Sequence, residues 1–419
     1  MNTLFIVGSR GIPADYGGFE TFAEELATGL AARGWPIYVT CERTGDEPEG
    51  PPTYRGVNLL YVTAPGGNLR TIVADVKALW RCYRIADPGD VVYLLGYGVG
   101  VFAWPVLWAL RAKGIRVWLN PDGIEWKRSR WSAWAQAYLR FSGWFLPRHV
   151  DRVICDSEAI EAHHLRNGGL NSTRTEVIEY GAPLVRSGDL SSAVIERRNE
   201  YLSRHGLEPG GYYVQVGRLV PENNLELTIR GMLDDRIRRK LLVIAARDRD
   251  DGFYRKLRAL VEAAEAQDQI VFGGTVYDQS LLQAVRLGAY GYVHGHEVGG
   301  TNPALVEAMG LGSFILALNT VYNREVLGDA GLVFGKSVES FVQTVLQADR
   351  LSEENVQRYR RRAVERVRTH YNWARITDRY EALIGDESTA PVDHAAPTGA
   401  ESHTVSSIHE VKSAATEES

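Results

Sequence analysis

The chain contains little cysteine. Its 419 residues include three cysteines, at positions 41, 82 and 155, which are too far apart for a metal-binding motif or a disulfide framework. Cysteines this sparse are typical of a protein from a reducing compartment. No basic segment precedes the first apolar run, which is also too short for a signal peptide. We therefore expect a cytoplasmic protein.

A surplus of positive charge is also missing. The net charge is −5 at pH 7, and residues 386–419, with seven acidic side chains and one lysine, contribute −6, which leaves the rest at +1. A nearly neutral body argues against a general nucleic-acid-binding protein, because phosphate contacts need a basic surface. Residues 385–419 lack aromatic side chains and are rich in Ser, Ala, Thr, Pro and Glu. This composition predicts a disordered acidic tail.

One uncharged stretch, residues 91–110, is long enough to test for a membrane span. A spanning helix needs about 20 consecutive apolar residues. Here Val91–Leu95 is rich in β-formers, the next few residues include three glycines, and only a short apolar segment follows. We therefore predict a buried strand, a loop and a buried helix rather than a span.

Alternating strand-like and helix-like segments organise the chain. The sequence is 45% hydrophobic and 24% charged, as in ordinary globular proteins, and its length favours two domains. One alternating set occupies residues 1–185 and another residues 201–351, with a polar linker at 186–200. This alternation predicts an α/β protein with two doubly wound, Rossmann-like domains and an inter-domain cleft. Residues 352–384 have a helical pattern.

The first glycine-bearing turn, residues 8–20, follows an apolar strand. Arg10 occupies the middle glycine position of the dinucleotide fingerprint G-x-G-x-x-G. Glu42 lies near the end of the second strand, as that fingerprint requires, but the crowded pyrophosphate turn tolerates Arg poorly. An NAD-dependent oxidoreductase is therefore a disfavoured alternative. Gly17 and Gly18, just before a helix, offer a better place for a phosphate or a sugar to approach.

A second glycine-bearing turn also precedes a helical pattern. Gly299, Gly300 and Thr301 are followed by Asn302, a favourable N-cap residue. The N-terminus of such a helix attracts phosphate through its free N–H groups and its dipole. Glu307 lies about one turn into the helix, where it could bind a ribose or sugar hydroxyl; a solvated, dipole-stabilising Glu is the alternative. Two such turns predict two lobes that face one phosphate-bearing ligand.

Three polar residues of the second domain could also lie in the cleft. Arg218, in the string VGRLVPENN, follows the first strand of the second set, and its guanidinium matches phosphate oxygens with two hydrogen bonds. A surface salt bridge is the alternative reading. His294 and His296 have no third metal ligand at a suitable spacing. We expect core or sugar-contacting histidines there and no metal site.

A basic and aromatic segment occupies residues 126–148 and contains no acidic residue. Basic and aromatic side chains together suit a membrane interface with anionic lipids. A core helix with a basic outer face is the alternative. The residues that would meet the membrane are Lys127, Arg128, Arg130, Trp131, Arg140 and Trp144.

Several long strings carry a family resemblance that spans about residues 1–384. The chain resembles the retaining glycosyltransferases of family four, which have the GT-B fold, and in particular the rhamnosyltransferase branch that opens with GSRGIPADYGGFET. Further matching strings are NPDGIEWKRSRW, VPENN, HGHEVGGTNPALVEA and NREV. The resemblance implies transfer of a deoxyhexose, with L-rhamnose favoured, from a nucleoside diphosphate sugar such as dTDP-L-rhamnose, with retention of configuration. It implies no cofactor and no essential metal.

The resemblance also assigns roles at the donor site. Arg218 and Asn223 would stabilise the leaving diphosphate, and Glu307 would hold the nucleotide ribose. Gly17 and Gly18 would let the N-terminal loop close over the sugar phosphate. The turn residues that would complete the donor site are Gly299, Gly300, Thr301 and Asn302.

On the acceptor side, the resemblance implies a growing glycan, such as a polyprenyl-linked saccharide. Asp122 and Glu125 are candidates for contacts with acceptor hydroxyls, and a structural role is the alternative. Such enzymes work at the inner face of the cell membrane, so we expect a cytoplasmic protein peripherally attached to an anionic membrane surface. The helices of residues 352–384 would pack back across the domain junction.

The sequence departs from the family pattern at two donor-site positions. Asn223 stands where the family usually has a basic residue, and Gly299 stands where it has the first of two glutamates. Glu297 lies two positions away and is a candidate substitute. Loss of a carboxylate that would hold a sugar hydroxyl is compatible with a deoxy sugar. A nucleotide-sugar epimerase of the same architecture and a non-catalytic sugar-binding protein are alternative functions.

Overall fold

The computed structural model describes residues 1–14, 17–45, 50–64, 66–67, 69–127, 131–245 and 252–386. Within these ranges the chain forms an eight-stranded sheet and a six-stranded sheet. The strands of the first sheet are β1 (Leu4–Val7), β2 (Ile37–Thr44), β3 (Thr53–Tyr54), β4 (Val57–Ala64), β5 (Val91–Leu95), β6 (Arg116–Asn120), β7 (Arg152–Cys155) and β8 (Thr175–Val177). Those of the second are β9 (Tyr212–Val216), β10 (Lys240–Ile244), β11 (Ile270–Gly274), β12 (Gly291–His294), β13 (Ile315–Leu318) and β14 (Gly331–Phe334).

Helices connect the strands. They are α1 (Gly18–Ala31), α2 (Arg70–Ile85), α3 (Trp104–Ala112), α4 (Ala133–Phe145), α5 (Glu158–Gly168), α6 (Ser192–Arg204), α7 (Leu225–Met232), α8 (Gly252–Ala263), α9 (Gln279–Gly288), α10 (Pro303–Gly310), α11 (Val321–Leu327), α12 (Val338–Asp349), α13 (Glu353–His370) and α14 (Trp373–Gly385). The predicted linker at 186–200 thus contains the first part of α6.

Both sheets are doubly wound. The first has the strand order β3-β4-β2-β1-β5-β6-β7-β8 and the second β11-β10-β9-β12-β13-β14, and of these neighbours only β3 and β4 pair antiparallel. The side chains of β1 alternate between two hydrophobic cores. Phe5 and Val7 belong to one core, and Leu4 and Ile6 belong to the other. A strand buried on both faces reads as a continuous apolar run, which is the pattern that the sequence shows. The prediction of two parallel-sheet α/β domains is confirmed.

The uncharged stretch at 91–110 forms a strand, a short 3₁₀ helix and most of α3, as predicted. The predicted burial holds for β5, whose residues are all buried. It is wrong for α3, because Trp104 and Trp108 are 52% and 68% exposed. Among the described residues, no helix is long and apolar enough to cross a membrane.

The C-terminal helical segment is interrupted after α13. Asn372 caps α14 by accepting a hydrogen bond from the backbone N–H of Ala374 at 2.8 Å. Helix α14 packs on α1, and the hydroxyl of Tyr380 lies 2.8 Å from that of Tyr93 in β5. The described part of the chain therefore ends in contact with the first domain. Gly385 closes α14, and the remainder of the predicted tail, residues 387–419, lies outside the described residues.

Candidate functional site

The two glycine-bearing turns face each other across the cleft between the sheets. Helix α1 begins at Gly18 after β1, and α10 begins at Pro303 after β12. A Cβ atom on Gly18 would lie 3.7 Å from Cγ of Pro303. Both turns therefore border one cleft at the carboxyl ends of the parallel strands, where ligands of doubly wound proteins bind.

The first turn needs glycine for its backbone conformation. Gly17 has φ +128°, a value that other residues rarely adopt, and a Cβ there would lie 2.0 Å from a carboxylate oxygen of Glu20. The other carboxylate oxygen of Glu20 accepts a hydrogen bond from the backbone N–H of Arg10 at 3.2 Å. Gly17 and Gly18 are both exposed, so this side of the cleft is open.

The second turn is pressed against the first domain. A Cβ on Gly123, in the loop after β6, would lie 2.7 Å from Cα of Gly299. A Cβ on Gly300 would lie 1.8 Å from Oδ1 of Asp156, in the loop after β7. The hydroxyl of Thr301 donates a hydrogen bond to the backbone carbonyl of Asp156. Glycine here permits the close approach of the two domains, and Gly299 also has φ +143°, a value that other residues rarely adopt.

Helix α10 begins as the sequence predicts. Asn302 is its N-cap, and the side-chain oxygen accepts a hydrogen bond from the backbone N–H of Ala304 at 3.0 Å. Pro303 occupies the first turn. The free N–H groups and positive dipole end of α10 therefore point to the side of the cleft that faces Gly18.

Glu307 has a partner that sequence reasoning missed. Its Oε2 accepts a hydrogen bond from Nη1 of Arg286 at 2.9 Å, and Arg286 is only 4% exposed. Arg286 lies in α9, and the apolar pattern of that helix gave no signal that one arginine turns inward. The ion pair holds one oxygen of Glu307, and the residue also lines the cleft, so Glu307 is neither isolated nor merely solvated.

The cleft beside this pair measures about 250 Å³. Its lining joins α1, α9, α10 and α14 and thus combines both domains. The residues that line it include Gly18, Thr21, Glu24, Glu25, Tyr180, Gln279, Gln283, Arg286, Pro303, Glu307 and Trp373. Burial raises the pKa of Glu25, and the neighbouring Glu24 raises it further. The mixed lining of acids, one cation and hydroxyls can bind a polar ligand.

Arg218 and Asn223 belong to one structured loop after β9. The side-chain N–H of Asn223 donates to the backbone carbonyl of Arg218 at 2.8 Å, and its Oδ1 lies 2.6 Å from Nδ1 of His296. Asn223 therefore stabilises the loop that contains Arg218, and Arg218 is half-buried.

The remaining histidine and glutamate of this region are engaged within the protein. His294 is buried and stacks on Tyr292 at 6.0 Å, and burial, followed by His296 and Arg286, holds its pKa well below the usual value. Glu297 is paired with Lys336 at 2.7 Å. No group of three or more His, Cys, Asp or Glu side chains suited to a metal occurs in the part of the chain that the structure describes.

The loop after β6 carries the two candidate acceptor residues. Asp122 has φ +57°, and its backbone N–H donates to the side chain of Asn120 at 2.9 Å. The carboxylate of Glu125 accepts a hydrogen bond from the indole of Trp131 at 3.0 Å. Glu125 thus has a structural contact in addition to any ligand that it binds. Both residues lie beside Gly123, which contacts the donor-side turn.

Asp156 is the buried acid that sequence reasoning did not assign to the site. It is 1% exposed, and its Oδ1 has no hydrogen-bond partner among the described residues. Burial raises the pKa of this carboxyl well above the usual value, and the nearby Asp122 and Glu325 raise it further. Where the second turn meets the first domain, this carboxyl therefore stays protonated to a higher pH than an aspartate in water does.

In comparisons with known proteins, a family model matches part of the chain, and solved structures match the fold of most of it. A family model described as a domain of unknown function (DUF1972) matches residues 1–183, and no curated protein matches the sequence. Sucrose-phosphate synthase from Thermosynechococcus elongatus is 18% identical, with 91% of this chain and 98% of that chain covered and a TM-score of 0.73.

Two further similar structures hold ligands. Anabaena HepE in complex with UDP and glucose is 15% identical, with 92% of this chain and 99% of that chain covered and a TM-score of 0.68. The catalytic domain of starch synthase IV from Arabidopsis thaliana, bound to ADP and acarbose, is 14% identical, with 91% and 98% covered and a TM-score of 0.70. These neighbours are GT-B glycosyltransferases. The chain has the GT-B fold.

In this GT-B chain, part of the predicted membrane-facing segment forms α4. Lys127 and Arg140 are exposed, and Trp144 is 47% exposed. Trp131 is half-buried, with its indole directed to Glu125. The other two predicted members of this face, Arg128 and Arg130, lie outside the described residues.

Proposed function

We propose that this chain is a glycosyltransferase that moves a sugar from a nucleoside diphosphate to an acceptor hydroxyl. The observation that carries the proposal is the meeting of the two glycine turns at a cleft lined by the Arg286–Glu307 pair and the N-terminus of α10. A phosphate-bearing ligand suits the helix N-terminus. The similar structures that hold UDP with glucose, or ADP with acarbose, support this class of ligand.

In the proposed donor complex, the diphosphate lies at the N–H groups near Thr301 and Asn302, with Arg218 as its cation. Glu307, oriented by Arg286, accepts hydrogen bonds from the ribose hydroxyls. Gly17 and Gly18 admit the sugar phosphate from the opposite side. The donor residues thus come from both domains, so productive binding requires the closed cleft.

The proposed reaction retains the anomeric configuration and uses no protein nucleophile. The bond between the anomeric carbon and the diphosphate oxygen breaks while the acceptor oxygen bonds to the same face of that carbon. The proton of the acceptor hydroxyl passes to the leaving phosphate oxygen. The protein contributes position and charge stabilisation. No cofactor is needed, since the nucleotide sugar is itself the substrate.

The proposed sugar is a deoxyhexose, with dTDP-L-rhamnose the favoured donor. Resemblance to the rhamnosyltransferase branch of family four supports this choice. A second observation agrees with it: Gly299 has φ +143°, which a glutamate would rarely adopt, and the backbone there lies against Gly123. A sugar that lacks a hydroxyl does not require such a carboxylate.

The proposed acceptor is a growing glycan on a polyprenyl carrier at the inner face of the cell membrane. Asp122 and Glu125 lie on the first-domain side of the closed turn, where an acceptor would enter. The basic, aromatic face of α4 would hold the protein at an anionic surface.

A two-stage experiment tests the proposal. First, thermal unfolding is measured with dTDP, UDP, GDP and ADP; a ligand at 100 times its Kd stabilises by about 2.7 kcal/mol. Second, the best donor is incubated with and without a polyprenyl-linked saccharide, and products are analysed by mass spectrometry. We expect hexosyl or deoxyhexosyl transfer only with acceptor. Formation of an isomerised nucleotide sugar in the absence of acceptor would show that the protein is an epimerase and not a transferase.

A further inference from the structure

Six large aromatic side chains of one surface region are exposed. They are Phe102 (54%), Trp104 (52%), Trp108 (68%), Trp134 (88%), Phe141 (48%) and Trp144 (47%). Single exposed apolar residues need no explanation, but a cluster of this size marks an interaction site on a soluble domain. Three of the six precede α4, so the segment recognised from the sequence is only half of this surface.

The short 3₁₀ helix before α3 contacts α4, and α3 shares a groove with the residues that follow α4. The ring of Phe102, just before α3, lies 6.3 Å from that of Tyr138 in α4. At the other end, Trp104 and Trp108 share a shallow groove of about 270 Å³ with Arg148 and His149, which follow α4. Because Trp104 and Trp108 are four residues apart, they lie on one side of α3.

Arg148 supplies an unneutralised charge in that groove. Its guanidinium lies 4.2 Å from the centre of the Trp144 ring and donates a hydrogen bond to the backbone carbonyl of Trp144. Arg148 forms no salt bridge with a described residue, whereas the neighbouring Arg111 is paired with Asp151 at 2.9 Å. Burial lowers the pKa of Arg148, which accords with a cation short of carboxylate partners.

The charge of this region indicates which kind of partner it can bind. Between residues 91 and 149 the acidic side chains are Asp122 and Glu125, both in the loop that faces the cleft. A basic, aromatic surface complements an anionic bilayer: tryptophan rings favour the headgroup level, and arginine forms a fork with phosphate. A second copy of the chain would bring equal positive charge to the contact.

We propose that α3 and α4 together form one membrane-docking face, and that the groove between Trp104, Trp108 and Arg148 receives the headgroup phosphate of an anionic phospholipid. This inference rests on the membrane attachment in the proposed function and adds to it α3 and a site for a lipid phosphate. Trp126 packs on Gly143 of α4 and belongs to the same loop as Gly123, so the docking face is directly linked to the cleft.

Vesicle co-sedimentation of the full chain tests this inference without donor or acceptor. The probes are vesicles of phosphatidylcholine alone and with phosphatidylglycerol. Trp104→Ala with Trp108→Ala should weaken binding to the mixed vesicles about tenfold, through loss of buried apolar area. Arg148→Gln should weaken binding about fivefold, and only when phosphatidylglycerol is present. Tyr277→Ala, which removes an 82% exposed aromatic of the other domain, is the matched control.

Several results would overturn the inference. Wild-type binding by the double tryptophan variant would do so, as would equal loss in the Tyr277 control. A concentration-dependent dimer that the tryptophan variants disperse would assign the face to a second copy. If the double variant fails to fold, Trp108→Ala alone, at the more exposed position, gives the same comparison. If vesicle binding follows these expectations but the chain shows no transfer activity, the docking face is supported and the proposed function is rejected.

Discussion

The two glycine turns of the cleft are alike in sequence and different in physical role. Gly17 and Gly18 are exposed, and a Cβ on Gly18 would make only an ordinary contact with Pro303 at 3.7 Å. Gly300 is buried, and a Cβ there would lie 1.8 Å from the carboxylate of Asp156. The first turn is open toward a ligand, whereas the second is a fixed junction between domains. Four predictions test this contrast.

The largest effect is expected at the cation of the second domain. Arg218→Ala should lower turnover by about 10²–10³, as loss of one preorganised charge donor does. Turnover is measured at saturating donor, with Arg230→Ala as the control, because Arg230 is an exposed arginine paired with Glu226. Near-normal turnover of the Arg218 variant would remove this residue from the mechanism.

A methyl group at the fixed junction should be the next most damaging change. Gly300→Ala should lower turnover by about 10², because a displaced turn misplaces the reacting groups. It should also cost about 1–3 kcal/mol of unfolding free energy through overpacking. Gly18→Ala, at the open turn, should leave the unfolding free energy nearly unchanged, because a Cβ there meets only Pro303 at 3.7 Å. Equal losses of unfolding free energy in the two variants would abolish the distinction between an open and a fixed turn.

Glu307 should matter for nucleotide binding. Glu307→Gln should weaken the binding of the donor and of the free nucleoside diphosphate together by about tenfold, because a charged hydrogen bond to the ribose is lost. Isothermal titration calorimetry with each ligand measures this. Glu365→Gln, at an exposed carboxylate paired with Arg368, is the control and should bind normally. Loss of acceptor affinity alone would show that Glu307 does not hold the ribose.

The smallest effect is expected from the buried acid at the junction. The pKa of Asp156 is raised in the folded state, so the folded protein holds this proton more tightly than the unfolded chain. Stability from this group is therefore lost as pH rises from about 4, the pKa of an unfolded Asp, through the higher folded value. The Asp156→Asn variant has no titrating group at this position, so its stability does not fall in this way. The difference in Tm between variant and wild type, measured from pH 4 to 8, should therefore shift in favour of the variant as pH rises. An opposite slope would contradict a raised pKa of Asp156.

Much of the local structure was predictable because its causes are local. The strand predicted at Val91–Leu95 has those bounds in the structure. The start of α10 followed from Asn302 and the proline after it. The sequence predicted helices over residues 352–384 without placing the break between α13 and α14, although Asn372, the N-cap of α14, is a local signal for it.

Alternating apolar runs and capping residues act over a few positions, so the two parallel-sheet domains and the start of α10 follow from the sequence alone. Only the packing of the sheets shows which glycine turn is exposed in the cleft and which is pressed against the other domain. It also brings about the pairing of Arg286 with Glu307, the burial of Asp156 and the contact of the segment before α3 with α4. Each depends on segments that are distant in the chain and become neighbours only when the sheets are packed, so no local pattern records them.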